Sequence, residues 1–158
     1  MRWFLIDRIV ECNPGQKIRA VKCFSRSESI FQDHFSFAPI VPGVLQIEMV
    51  AQAIGKCMRA SDMNRLFALG SVKSAKFYRL IKPGSQCVIE AEVESATASY
   101  VRGKGRILVD GERMSEIEVL CATLPPEITK NAKPDDVVVE WLESQAIHSS
   151  SANSEGIT

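Results

Sequence analysis

The chain has 158 residues, of which 46% are hydrophobic and 24% are charged, values typical of one ordinary globular domain. Its 19 basic side chains balance its 19 acidic ones, so the charge gives no reason to expect nucleic acid or an anionic membrane as the main partner. The five cysteines are widely spaced and indicate neither a metal site nor a disulfide framework. Because no signal-like segment and no stretch of about 20 apolar residues is present, we expect a cytoplasmic protein without a membrane span.

The first half of the chain predicts a hairpin, a loop and one long helix. Strands are expected at residues 4–12 and 17–24, because the segment Asn13-Pro14-Gly15-Gln16 between them favours a tight reversal. Residues 25–41 have no regular pattern. From Gly43 to Arg59, apolar residues recur at helical spacing, and Pro42 stands just before the helix start. The stripe expected to face the core consists of Val44, Ile47, Ala51, Ile54, Gly55 and Met58.

The second half alternates between apolar and polar residues, which predicts strands with one solvated face. Three long strands are expected at about 66–81, 86–109 with a break near 99–105, and 112–124, and short connections imply antiparallel neighbours. We therefore predict an α+β fold with an antiparallel sheet wrapped around one long central helix, over residues 1–125. Residues 126–158 are expected to form a polar extension that is at least partly disordered. Its apolar island at 137–142 either docks on the sheet or a neighbour or stays undocked.

Two side chains stand out as candidates for chemistry. His34 is one of two histidines, and the other, His148, lies in the polar extension. Glu48 falls on the apolar stripe of the helix, where a charged group is unfavourable unless it is paired, and Gln52 one turn later is placed to hydrogen-bond its carboxyl group. The ordinary alternatives are a structural histidine in a loop and a glutamate that reaches solvent from the edge of the stripe.

The helix start provides a third element, because Gly43 and the next residues have N–H groups without an acceptor inside the helix. Such groups suit a developing oxyanion. Removing a proton next to a thioester carbonyl requires a base at the carbon, a donor at the carbonyl oxygen and an acid for the departing hydroxide. His34, the Gly43 N–H and Glu48 would fill these roles.

The segments His34-Phe35, Pro39, Pro42-Gly43-Val44-Leu45, Ile47-Glu48 and Ala51-Gln52 resemble the FabZ-type 3-hydroxyacyl-ACP dehydratases, whose motif reads approximately HFPGRPVMPGVLIIEALAQ. The resemblance extends over nearly all of residues 3–124. It implies a hotdog fold and conversion of (3R)-3-hydroxyacyl-ACP to trans-2-enoyl-ACP, in fatty-acid or related lipid and polyketide biosynthesis, without metal or other cofactor. The implied partners are the acyl carrier protein and a second copy of the chain, with trimers of dimers as a larger assembly.

The same resemblance implies a role for each site residue. His34 is the base, Glu48 reaches the substrate from the partner subunit and protonates its hydroxyl group, the Gly43 N–H binds the thioester carbonyl, and Gln52 supports Glu48. Tyr78 occupies the region of an aromatic gate.

The loop around His34 departs from the family pattern. Asp33 replaces a glycine, and Ser36-Phe37-Ala38 replaces the usual Pro-Gly-Arg, so that Phe37 would narrow the acyl tunnel or shift His34. Two other functions therefore stay open: a hotdog acyl thioesterase, and a non-catalytic acyl-binding subunit.

Overall fold

Six strands form one antiparallel sheet in the computed structural model, which describes the backbone over residues 4–154 and the side chains over residues 4–146. The strands are β1 (Arg8–Asn13), β2 (Lys17–Cys23), β3 (Phe67–Phe77), β4 (Gln86–Ala96), β5 (Tyr100–Val109) and β6 (Glu112–Thr123). Their order across the sheet is β1-β2-β4-β5-β6-β3. The helices are α1 (Ile30–Asp33), α2 (Gly43–Arg59), α3 (Pro126–Thr129) and α4 (Asp136–Ser154).

The opening hairpin is present, with Gly15 at the turn in the left-handed region (φ 74°) that glycine adopts readily. Its first strand begins later than predicted, at Arg8 rather than at residue 4. The reason lies in the backbone of Leu5, whose N–H donates to the Gln52 side chain of α2 (3.1 Å) instead of to a neighbouring strand. The N-terminal segment is thus attached to the central helix.

The strand predicted at 86–109 with a break near 99–105 is two strands, β4 and β5, which pair with each other in an antiparallel hairpin. The chain reverses at residues 97–99. The Thr97 hydroxyl accepts hydrogen bonds from the N–H groups of Ser99 and Tyr100 (3.2 Å each), and the Thr97 N–H donates to the Tyr100 carbonyl (2.8 Å). Because a threonine side chain closes this turn, the usual glycine, proline and asparagine signals are missing from the sequence.

The prediction that strands joined by short connections are neighbours is wrong for β3 and β4. The strand β3 pairs with β6 at one edge of the sheet, whereas β4 lies between β2 and β5. The connection at residues 78–85 crosses three strand spacings, about 14 Å, which eight residues of extended chain span easily. On its way, the Val41 N–H donates to the Ile81 carbonyl, and the Phe24 N–H donates to the Ser85 carbonyl.

The central helix α2 has the predicted bounds and lies on one face of the sheet. Its core side differs from the predicted stripe, because Val44 is 69% exposed and Ile47 and Gly55 are only half-buried. The fully buried positions are Met49, Val50, Ala53, Ile54 and Cys57. The sheet covers one side of α2, so a second apolar side remains uncovered in a single chain.

The extension past residue 125 contains α3 and α4. The apolar island at 137–142 docks: Val138 is fully buried, Trp141 packs against the core, and α4 contacts β1. The α4 backbone includes the serine-rich segment, and residues 155–158 and the His148 side chain lie outside the described part. Partial disorder of the extension stays a prediction. Within the described residues, no helix has the length and apolar character that crossing a membrane requires.

Candidate active site

His34 lies at the C-terminal end of the short helix α1, where its N–H donates to the Ile30 carbonyl (3.0 Å). Its ring is positioned by a contact of 3.3 Å between Nδ1 and the Ile40 carbonyl oxygen. In the tautomer that makes this hydrogen bond, Nδ1 carries the proton and Nε2 carries the lone pair that a base requires. The contact with the Ile40 carbonyl therefore orients the imidazole ring and leaves Nε2 without a part in this hydrogen bond.

The rebuilt loop after His34 makes a tight turn, in which the Ala38 N–H donates to the Phe35 carbonyl (2.8 Å). The positive φ of this loop falls at Phe35 (55°) and not at Asp33, which is helical. Losing a glycine at position 33 thus causes no backbone strain there. The Phe35 ring packs edge-on against His34 (centroids 4.5 Å apart), and Phe37 is 88% exposed on the outside of the loop. Phe37 does not line a cavity of the single chain that contains Glu48.

Gly43 is the first residue of α2, and it lies directly under the Phe77 ring of β3. A Cβ atom at this position would be 3.0 Å from the Phe77 Cζ atom, so any other residue would push the ring away. Pro42 precedes the helix and accepts hydrogen bonds from the N–H groups of Leu45 and Gln46 through its carbonyl group (3.1 and 3.3 Å). The first two N–H groups of α2, those of Gly43 and Val44, have no acceptor inside the helix, so a carbonyl oxygen can approach them.

Glu48 is half-buried one turn further along α2, and Gln52 determines its orientation. The Gln52 Nε2 atom donates to Glu48 Oε1 (3.0 Å), while Gln52 Oε1 accepts the Leu5 N–H (3.1 Å). The amide of Gln52 is thereby fixed at both ends, and it presents an N–H to the carboxyl group. This is the hydrogen bond that the i to i+4 spacing of the two residues predicts.

A cavity of about 270 Å³ adjoins Glu48 and follows α2 toward its C-terminal end. The helix contributes one wall, the strands β3 and β6 contribute the opposite wall, and the N-terminal segment and the C-terminal extension complete it. The lining consists of Phe4, Glu48, Ala51, Gln52, Gly55, Lys56, Arg59, Leu66, Phe67, Leu69, Cys121 and Asp135. The lining is mixed: apolar and small residues form the middle of the wall, and polar or charged residues, Glu48 and Gln52 as well as Lys56, Arg59 and Asp135, complete it.

The pKa of the Cys121 thiol reflects the environment beside Glu48. Burial, together with the negative charge of Glu48, raises the pKa of the Cys121 thiol to about 11. The thiol is therefore neutral at physiological pH and behaves as a small apolar side chain in the cavity wall.

Tyr78 lies at the rim of the sheet and not in this cavity. Its hydroxyl donates to Glu116 Oε2 (2.7 Å), and the Arg113 guanidinium lies 4.8 Å from its ring centroid. The hydrogen bond to Glu116 raises the pKa of the Tyr78 phenol. A role for Tyr78 as a gate stays a prediction.

His34 does not line the cavity that adjoins Glu48, because no residue from 34 to 43 contributes to the lining described above. A larger groove of about 690 Å³ runs across the outer face of the sheet, but it contains none of the predicted site residues. Its charges are paired across the strands, for example Arg106 with Glu90 (2.7 Å) and Lys104 with Glu92 (2.9 Å). That groove is best explained as a solvated sheet face.

Comparison with known proteins identifies the family. The model of the ApeI-like family, described as ApeI dehydratase, matches residues 11–112. The chain belongs to the ApeI-like dehydratases. Among its relatives, the 3-hydroxyacyl-[acyl-carrier-protein] dehydratase FabZ of Escherichia coli O9:H4 (strain HS) is 37% identical over 124 residues, which cover 76% of this chain and 82% of the relative. The FabZ of Proteus mirabilis (strain HI4320) is 38% identical over 76% of this chain and 83% of its own length.

Solved structures agree with this assignment at the level of the fold. The dehydratase heterocomplex ApeI:P from Xenorhabdus doucetiae superposes with a TM-score of 0.56 at 18% identity, over 72% of this chain and 96% of that chain. The protein smu.793 from Streptococcus mutans UA159, bound to acetyl CoA, gives a TM-score of 0.61 at 10% identity, over 78% of this chain and 93% of that chain. The predicted hotdog fold and the predicted FabZ-like family are both confirmed.

The ApeI-like family match ends at residue 112, so it leaves out Asp135 and the whole C-terminal extension. Among the charged and thiol side chains of the cavity lining, the sequence analysis missed Lys56, Arg59, Cys121 and Asp135. Lys56 and Arg59 follow Gln52 on α2 at helical spacing, which was a usable signal. Asp135 and Cys121 come from distant parts of the chain, and only the folded structure brings them to this cavity.

Proposed function

We propose that this ApeI-like dehydratase removes water from (3R)-3-hydroxyacyl-ACP and produces trans-2-enoyl-ACP in fatty-acid biosynthesis. The observation that carries the proposal is the Glu48 carboxyl group, held by Gln52 in a cavity that apolar side chains of α2 and β3 line in part. The FabZ relatives are named for the same reaction. A location in the cytoplasm accords with this substrate and stays a prediction.

Three groups of the protein carry out the reaction. His34 Nε2 takes a proton from C2 of the acyl chain, and the electron pair of that C–H bond forms the C2–C3 double bond. The C3–O bond breaks, and Glu48 gives its proton to the departing hydroxyl group, which leaves as water. The Gly43 N–H stabilises the negative charge that develops on the thioester oxygen, assisted by the positive end of the α2 dipole.

We further propose that the active unit is a homodimer in which His34 of one protomer meets Glu48 of its partner. Two uncovered apolar surfaces support this. The strand β3 is an edge strand whose apolar side chains Leu69, Val72 and Phe77 are between 41% and 47% exposed, and Val44 on α2 is 69% exposed. A long exposed edge strand with apolar side chains is suited to pairing with a second copy. Assembly of dimers into hexamers stays a prediction.

The reaction is tested with 3-hydroxyacyl-ACP substrates of four to sixteen carbons, and enoyl formation is followed for the wild type, His34→Ala and Glu48→Gln. Both variants are expected to lose enoyl formation, while Glu143→Gln, an exposed glutamate on α4, keeps it. Release of free thiol without enoyl product would indicate a thioesterase instead. Tight acyl binding without turnover by the wild type would indicate a non-catalytic subunit.

Shared active sites are tested by mixing His34→Ala with Glu48→Gln after joint unfolding and refolding. Half of the resulting dimers contain one chain of each kind, and each of these regains one of its two sites, so about a quarter of wild-type activity should return. If both residues acted within one chain, mixing would restore nothing.

A further inference from the structure

Asp135 connects the C-terminal extension to the central helix through a largely buried ion-pair cluster. Its carboxylate lies 2.8 and 2.7 Å from Lys56 Nζ and 3.5 Å from Arg59 Nη1. The side chains of all three residues are between 11% and 14% exposed. Arg59 also donates to the Lys133 carbonyl (3.2 Å), so α2 holds the extension at two successive points. Ion pairs this well shielded are far more specific in position than pairs on an open surface.

The same carboxylate determines where α4 begins. Asp135 Oδ1 accepts the Val138 N–H (3.3 Å), the arrangement of an N-terminal helix cap. Val138 is fully buried against the core, next to the partly buried Trp141. The segment from Lys133 to Trp141 is therefore fixed on the domain by a cap, an ion-pair cluster and an apolar anchor.

This cluster lies at the opposite end of the cavity from Glu48. Arg59 follows Glu48 by eleven residues on α2, which corresponds to about 16 Å along the helix axis. Between them, Ala51 and Gly55 line the helix side, and Phe67 lines the β3 side. The apolar lining thus begins at the proposed acid and ends at three charged side chains.

We infer that the C-terminal extension closes the far end of the acyl-chain cavity, and that the cluster of Asp135, Lys56 and Arg59 limits the length of the acyl group. The inference rests on the proposed function and adds the determinant of chain length. An acyl chain that ends among Ala51, Gly55 and Phe67 keeps apolar contacts along its whole length. A longer chain pushes its terminal methyl group into the cluster, where it would separate charges from their partners at a large cost in free energy.

The variant Gly55→Leu tests whether the acyl chain occupies the middle of the cavity. A Cβ atom at Gly55 has Phe67 Cδ2 as its nearest neighbour at 3.8 Å, so a Cβ atom fits without a clash, and the rest of a leucine side chain would occupy space between Glu48 and the cluster. The replacement also suits a helix better than glycine does. We expect short acyl substrates to be dehydrated as by the wild type, and the longest wild-type substrate to lose at least about tenfold in kcat/KM.

The variant Asp135→Ala tests whether the ion-pair cluster closes the far end of the cavity. It removes the carboxylate that joins the extension to α2, and we expect kcat/KM for substrates longer than the wild-type optimum to rise by about tenfold relative to shorter ones. Asp136→Ala is the matched control, because Asp136 is exposed at the start of the same helix. Thermal unfolding of each variant shows whether it is folded. The Gly55→Leu result decides the matter if Asp135→Ala does not fold.

A binding series separates this inference from the proposed function. Saturated acyl-ACP thioesters of four to sixteen carbons cannot lose water, so their dissociation constants report on the cavity whether or not the protein is a dehydratase. A preference for shorter chains in Gly55→Leu supports the inference even if no substrate is turned over. Unchanged length profiles in folded Gly55→Leu, for binding and turnover alike, overturn the inference while leaving any observed dehydration intact.

Discussion

At the scale of single residues, Gln52 has the most consequential position after the reacting groups. It accepts the Leu5 N–H with one end of its amide and donates to Glu48 with the other. The N-terminal segment thus influences the proposed acid through one side chain. Gln52 is a positioning residue, because it acts through Glu48.

We expect Gln52→Met to lower kcat by roughly 10- to 100-fold, because methionine fills similar space but cannot orient the carboxyl group. KM should change little, since the cavity keeps its shape. Stability should fall by about 1–3 kcal/mol, because the Leu5 N–H loses its acceptor. Steady-state kinetics and denaturant unfolding measure the two effects. The exposed Gln145 provides the control substitution Gln145→Met, and an equal loss of kcat in that variant would contradict the argument.

The sequence alone identifies the candidates His34, Glu48, Gly43 and Gln52, because a lone loop histidine, a helical glutamate on an apolar stripe and a helix start are local patterns. It does not identify Asp135 or Cys121, since their places in the cavity lining depend on how the C-terminal extension and β6 pack. The assumption that Glu48 faces the core of its own chain also needed revision. The face of α2 that carries Val44 is uncovered in a single chain, and this distinction between core and interface is invisible to helical periodicity.

At the scale of elements, two glycines of β5 allow α2 to approach the sheet. A Cβ atom at Gly103 would be 2.7 Å from the Glu92 carbonyl oxygen and 2.7 Å from Ile54 Cδ1, and one at Gly105 would be 2.9 Å from Val50 Cγ1. Side chains of α2 therefore lie directly against the backbone of β5. The position of Glu48 depends on this close approach.

Gly103→Ala is expected to destabilise the protein by about 1–3 kcal/mol, because the methyl group forces α2 away from β5. The same change at Gly55 should stabilise it by up to about 1 kcal/mol, because that position lies in a helix and has room for a methyl group. Denaturant unfolding of both variants measures the contrast. A loss of stability in both variants would mean that neither glycine position has room for a methyl group, which would contradict the contrast in packing around Gly103 and Gly55.

The bounds of α2 and the opening hairpin were predictable because their signals are local. The order of the strands was not, since β3 reaches its place at the edge through pairing with β6, far along the chain. The break predicted near 99–105 is a reversal at 97–99, and its position was not predictable because Thr97 closes the turn with a side-chain oxygen. Long-range pairing and side-chain turns are the parts of this fold that composition and periodicity do not encode.

At the scale of the whole molecule, the two edges of the sheet differ in character. At β1 the register shifts between Ile9 and Glu11, and this β-bulge interrupts a short strand of six residues. At the other edge, β3 has eleven residues and exposes Leu69 and Val72. The pairing of β3 with β6 also shifts register, between Leu69 and Ser71 and between Val72 and Ser74, so the two edges differ in length and in apolar exposure and not in the presence of bulges. A long edge with exposed apolar side chains favours pairing with another chain. These differences favour β3 as the strand at the proposed dimer interface.

We expect Val72→Glu to convert the dimer to a monomer, because each dimer would bury two carboxylates at the new strand pair. Dehydration should be lost with it, since His34 and Glu48 would then no longer meet across the interface. Analytical ultracentrifugation measures the mass, and the acyl-ACP assay measures the activity. Val10→Glu is the control, because Val10 is similarly exposed (43% against 41%) but lies at the bulge of β1. An active monomer of Val72→Glu would show that one chain contains a complete site, whereas dissociation by Val10→Glu and not by Val72→Glu would move the interface to β1.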